Sequence, residues 1–217
     1  AAFPLMTGCD NNLSDDSVFG HGVASGDPLD DRVIIWTRIS PNPENNPDAI
    51  IHQRYSVFWL VATDAAMTDV IASGEAFAEV TKDYTVKVDV EGLSPSTSYF
   101  YQFSVYSEQI ETTFQSKVGQ TKTLPAPYDV VERAKLAVCS CSNLSFGYFN
   151  AYGAIARQSD IDAVLHLGDY IYEYANGEYG DGSATGREQG DRETLTLDDY
   201  RTRYSLYRRD VDLQAAQ

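Results

Sequence analysis

Apolar positions along this chain follow two regimes. From residue 18 to 124 they come in short bursts rich in β-branched and aromatic residues: VIIWTRI (33–39), YSVFWLVAT (55–63), YTVKVDV (84–90), SYFYQFSVY (98–106) and TTFQSKVGQTKTL (112–124). Several alternate apolar and polar positions with period two, the spacing that turns one face of a strand to a core and the other to water. Turn residues divide them, among them Gly26-Asp27-Pro28 and the stretch from Pro41 to Pro47. Many short strands at this spacing predict an antiparallel sandwich.

Pro125-Ala126-Pro127 then makes a stiff linker, because restricted residues disfavour both helix and sheet. Beyond it KLAVCS (135–140) and DAVLHLG (162–168) read as short buried strands. Between them FGYFNAYGAIARQ has helical spacing, with Tyr148, Phe149, Tyr152, Ile155 and Ala156 on one side. Strand, helix and strand in that order predict a βαβ unit with parallel strands and a right-handed crossover. A glycine-rich acidic stretch follows over 175–195, a lid or a solvated insertion. Thr196 predicts an N-cap with Asp198 and Asp199 in the first turn, and Leu197, Tyr200, Tyr204 and Tyr207 form that helix's apolar stripe. Asp210 caps one more helix.

These patterns predict a multi-domain chain. Residues 1–17 form a leader remnant, 18–124 an all-β sandwich of immunoglobulin or fibronectin type III kind, and 125–217 the start of an α/β domain. Two parallel strands do not make a stable domain, so the second unit is expected to be incomplete.

Composition narrows the function. The formal net charge of −16 repels phosphate backbones, which argues against nucleic acid as a partner. An anionic substrate must be caught by a few arginines or a metal. The N-terminal Leu5-Met6-Thr7-Gly8-Cys9 resembles a bacterial lipobox, whose cysteine is lipidated after cleavage; the other reading is a tail with a stray cysteine. The first reading implies an exported protein, periplasmic, cell-surface or secreted, with a lipid anchor on Cys9. Three cysteines with a C-x-C pair, Cys139 and Cys141, make no disulfide framework.

In open α/β sheets ligands gather beyond the carboxyl ends of the strands. The first strand here ends at Ser140-Cys141-Ser142-Asn143, the second at Asp169 with Tyr172 about one turn on. Adjacent strands would let Cys141, Asp169 and Tyr172 converge. Thiolate, carboxylate and phenolate together suit a Lewis-acidic trivalent ion such as ferric iron. The plainer reading, a core cysteine and a surface turn, stays open on spacing alone. His166 reads as a satisfied histidine in the core or near the site. Asp162 reads as a turn residue, and His21 and His52 have no evident partner. Arg201, Arg203, Arg208 and Arg209 read as surface pairs for Asp198 and Asp199.

Gly92-Leu93-Ser94-Pro95-Ser96-Thr97-Ser98-Tyr99 resembles the L-x-P-x-T-x-Y segment of fibronectin type III domains, where the tyrosine hydroxyl bonds back to the chain upstream. Trp36 and Trp59 then read as core aromatics. A wider resemblance covers the chain from about residue 19. GVASGDPLDDRVIIWTRI, GLSPSTSYFYQF with its VGQTKTLP exit, SCSNLSFGYFNAY, LHLGDYIYEY and TLDDYRTRYSLYRRDVDLQAAQ stand in the order found in PhoD-like alkaline phosphatases of the metallophosphatase superfamily. The resemblance implies a phosphomonoesterase or phosphodiesterase with a dinuclear site, in which a metal hydroxide attacks phosphorus in line. Cys141 would be an iron ligand, Asp169 the bridge from Fe(3+) to a second divalent ion, calcium by the same resemblance, and Tyr172 the phenolate on iron. Cys139 would be a buried small hydrophobe.

The family's later blocks, which supply the remaining ligands and phosphate contacts, would fall beyond Gln217. The chain alone is therefore expected to be inactive without the remainder of the catalytic domain. Two other readings compete: a related dinuclear hydrolase, such as a nuclease or lipid phosphodiesterase, and a fibronectin-like adhesion module without catalysis.

Overall fold

A computed structural model describes residues 18–40, 53–108 and 111–217. The lipobox-like segment with Cys9, the Pro41–Pro47 stretch and His52 lie outside those residues. The described chain is mostly β with few helices. Strands β1 (Val23–Gly26), β2 (Arg32–Arg38) and β5 (Thr85–Glu91) form one antiparallel sheet in the order β1-β2-β5. A second sheet runs β4 (Val70–Glu79), β3 (Arg54–Ala62), β6 (Ser98–Ser107), β7 (Thr112–Gln115), with β8 (Gly119–Lys122) also paired to β6.

The period-two pattern decides which side chains enter the core. Val33, Ile35 and Thr37 point inward from β2, and Tyr99, Tyr101, Phe103 and Val105 from β6. Side chains of both sheets make one apolar cluster, which Trp59 joins as a half-buried member. The Tyr99 hydroxyl accepts from Ser94 N–H at 2.9 Å, the upstream bond expected of that segment.

Two differences from the sequence pattern in these sheets have physical reasons. β4 goes unrecognised in sequence because VIASGEAFAE is rich in small residues; its strand is imposed by pairing with β3. Gly74 is required there, since a Cβ would stand 2.7 Å from Trp59 Cζ2. The expected single strand over 112–124 does lie along one edge of β6, but as two pieces. Ser116 interrupts it by receiving Phe103 N–H on its hydroxyl at 3.0 Å.

The other strands, β9 (Leu136–Cys139) and β10 (Ala163–His166), pair in parallel, with α1 (Asn150–Ala156) between them in sequence. They are not buried as expected: Leu136 is 49% and Val138 59% exposed, and among the described residues these two strands pair only with each other. A second apolar cluster gathers Leu144, Phe149, Tyr152, Tyr207 and Leu213.

Helix α2 (Leu197–Arg208) begins with the expected cap, Thr196 and Asp199 each receiving the other's N–H. Asp210 likewise caps α3 (Val211–Ala215), its Oδ1 accepting from Leu213 N–H at 2.9 Å. The predicted α2 stripe is only half buried. Tyr207 is enclosed, but Leu197 and Tyr200 face solvent.

Both C-terminal helices dock on the paired sheets. The Arg208 guanidinium lies 4.5 Å from the Trp36 ring and donates to His21 O at 3.0 Å, while Gln214 Nε2 donates to Gly20 O at 2.9 Å. Trp36 therefore belongs to this seam and not to the core of the sheets.

Candidate metal centre

The chain leaving β9 stays hydrogen-bonded to the chain leaving β10. Leu167 N–H donates to Cys139 O at 2.9 Å, Cys141 N–H to Gly168 O at 3.2 Å and Ser142 N–H to Asp169 O at 2.9 Å. At this junction the backbone turns left-handed, with φ of 61° at Cys141, 115° at Gly168 and 53° at Asp169. Left-handed backbone costs a side-chain-bearing residue of order 1–3 kcal/mol, and such strain concentrates at functional sites. Both turns aim their side chains at one point. Cys141 Sγ lies 3.4 Å from Asp169 Oδ2, and the Tyr172 hydroxyl donates to the same oxygen at 3.1 Å. Cys141 and Asp169 are exposed and Tyr172 is half-buried.

The trio is an acceptor-rich cluster. Desolvation first, then the hydrogen bonds that the phenol donates to Cys141 and Asp169 and the negative charge of those groups, push Tyr172 well above its ordinary range. A multivalent cation would reverse that effect by stabilising each anion at once. Carboxylate and phenolate are hard donors and thiolate a softer one, so the set fits a Lewis-acidic ion of iron type. Among the described residues no group of three or more histidine, cysteine, aspartate or glutamate side chains forms a metal cluster; here the third donor is a tyrosine.

The neighbours hold the trio but do not join it. His166 Nδ1 accepts from Gly168 N–H at 3.2 Å, which places its proton on Nε2, 2.9 Å from Tyr152 Oη and 3.2 Å from Ser142 Oγ. It is thus a satisfied near-site histidine. Burial pushes Tyr152 up to about 12. Cys139 is half-buried, not enclosed, and its thiol faces Leu165 O at 3.8 Å. Asp162 accepts Lys135 N–H at 2.9 Å and Lys122 Nζ at 2.7 Å, as suits a turn.

The arginines depart furthest from expectation. Arg203 and Arg208 are buried, not surface partners of Asp198 and Asp199. Arg203 Nη1 donates to the carbonyl of Tyr172 and, at 2.9 Å, to that of Tyr174, so α2 grips the segment carrying the phenol. Arg201 reaches Asp198 at 3.8 Å but also donates to Thr81 O at 2.7 Å. Sequence reasoning missed Arg187, which lies in the glycine-rich stretch. It is fully buried, forms a 2.7 Å ion pair with the fully buried Asp210, and sits 4.9 Å over the Phe149 ring. Two arginines, Arg187 and Arg192, in an acidic, glycine-rich run were the available signal.

Comparisons with known proteins bear on the family of the chain. Residues 7–125 match the family described as PhoD-like phosphatase, N-terminal domain, and residues 136–217 the family described as PhoD-like phosphatase. Alkaline phosphatase D of Bacillus subtilis (strain 168) is 40% identical over 198 residues, covering 91% of this chain and 33% of that protein. A solved structure titled "Structure of PhoD" superposes with a TM-score of 0.81 at 40% identity, over 94% of this chain and 38% of that one. The chain thus spans about a third of the length of its curated relative.

Proposed function

Because this chain belongs to the PhoD-like phosphatase family, we propose that it contributes half of a dinuclear metal site to a phosphoester hydrolase. In this reading Cys141, Asp169 and Tyr172 would hold ferric iron, and Asp169 would also serve a second divalent ion, calcium. The observation that carries it is the convergence of Cys141 Sγ and the Tyr172 hydroxyl on Asp169 Oδ2, with left-handed backbone at Cys141 and Asp169. When bound, the ions supply Lewis acidity and an activated hydroxide for in-line attack on phosphorus.

The chain's own residues do the positioning. The cross-strand bonds of Cys141 and Ser142 fix two donors relative to each other, and Arg203 fixes the third through its backbone. Preorganised donors need no rearrangement as charge develops on the phosphoryl oxygens.

The proposal extends to architecture and location. Residues 18–124 form a fibronectin-like sandwich, and 125–217 begin an α/β metallophosphatase domain. The protein is exported to periplasm, cell surface or medium, with Cys9 as a lipid anchor. No helix among the described residues is long and apolar enough to cross a membrane. The substrate is a small phosphate mono- or diester; a surface of net charge −16 disfavours nucleic acid over such esters.

A panel of phosphate mono- and diesters and DNA, presented to the whole native protein with and without chelator, tests this. We expect chelator-sensitive hydrolysis of small esters. Three donors leave the ions under-coordinated, so residues 1–217 alone should turn over nothing. Hydrolysis resistant to exhaustive chelation, or turnover by residues 1–217 alone, would contradict the reading.

A further inference from the structure

A cleft of about 410 Å³ opens beside the donors, lined by Cys141, Asn143, Phe146, Tyr172, Tyr174 and Tyr179. Two of these are the proposed ligands, so a group held at the donors stands at the cleft's edge. The far wall is aromatic. In these residues Phe146 and Tyr179 are exposed and Tyr174 is half-buried.

The wall is built, not loose. The Tyr174 and Tyr179 rings lie 4.4 Å apart, and Tyr172 stacks on Tyr174 at 6.2 Å. Gly177 N–H donates to Gly180 O at 2.8 Å, closing the turn that carries Tyr179, and Asn143 Nδ2 reaches Tyr179 O at 3.4 Å. Gly180, at φ 147°, has no side chain to keep this turn off Ser145 and Phe146, whose atoms come within 3.2 and 3.5 Å of the absent Cβ. The turn and Phe146 therefore form one surface.

Among the described residues no cationic side chain lines the cleft, and these 217 residues carry a net charge of −16. Apolar contact with the ester's organic group is the affinity that this wall itself can add. Three aromatic rings favour a flat partner, because offset-stacked and edge-to-face pairs add to plain burial.

We propose that Phe146, Tyr174 and Tyr179 form the subsite for the organic group of the phosphoester and select an aromatic ring. This rests on the donor trio being a phosphoester-hydrolysing centre. Phosphonates, which bind but have no leaving group, separate recognition from chemistry.

Competitive inhibition of the whole native protein by benzylphosphonate and methylphosphonate provides the test. Benzylphosphonate should bind about tenfold more tightly, and that ratio should fall towards one in Tyr179→Ala and Phe146→Ala. Tyr179→Leu, which keeps bulk but not a flat ring, should lose most of it too, with circular dichroism reporting the fold of each variant. A ratio near one in the native protein, or a tenfold ratio that survives all three substitutions, would overturn the subsite. Hydrolysis with a flat ratio would leave the donor reading standing; absence of both hydrolysis and phosphonate binding would remove both.

Discussion

His21 sits where the paired sheets meet α2. Its Nε2 lies 2.6 Å from Ser205 Oγ, and its Nδ1 lies 2.8 Å from Ser40 Oγ. Burial first, then the cations of Arg38, Arg208 and Arg209, push its pKa down to about 3. Arg38, which contacts the His21 ring, is itself paired with Asp83 at 2.8 Å. The unfolded chain binds a proton at His21 below about pH 6.5 that the native protein refuses. Stability should therefore be level above that pH and fall between about 6.5 and 3, by about 1.4 kcal/mol per unit for this one group. Urea midpoints across that range should slope less steeply in His21→Asn, whatever its absolute stability; equal slopes would contradict the assignment. Sequence could not show this, because Ser205 is 184 positions away. The same limit misplaced Arg203 and Arg208. Their helix carries acids in its first turn, and nothing local reveals that carbonyls of other segments have taken the guanidinium groups.

At the scale of elements, signals within a few residues were readable and imposed ones were not. The Thr196–Asp199 box and the Asp210 cap are short-range contacts and stood where the sequence put them. β4 owes its conformation to β3, and the break at Ser116 to a bond from Phe103, so neither leaves a local pattern. Helix α2 is an anchored strut. Its Arg208 holds the seam by Trp36, and its Arg203 holds the carbonyls on either side of Glu173. Loss of partners just outside a metal's ligands commonly lowers affinity about 10–100-fold. Chelator competition should show that weakening of iron retention in Arg203→Gln, with partial recovery in Arg203→Lys, which restores a donor. Unchanged retention in Arg203→Gln would show that α2 does not support the phenol.

At the scale of the whole molecule, the order of blocks was legible, and with it the strand-rich first half and the pair of strand ends that bring Cys141, Asp169 and Tyr172 together. What was hidden is the seam. Gln214, Arg208 and Ser205 reach Gly20 and His21, and Gln217 O receives Ser25 N–H at 3.3 Å. Through that seam the sheets brace the helix that grips the Tyr172 segment. The account depends on Tyr172 being a ligand and not a surface phenol. Its most direct test is the visible absorption of the whole native protein, purified without chelator, beside its Tyr172→Phe variant. The account predicts bound iron with a tyrosinate-to-iron charge-transfer band, lost in Tyr172→Phe while circular dichroism is unchanged. An iron-free native protein, or a band that persists in Tyr172→Phe, would contradict it.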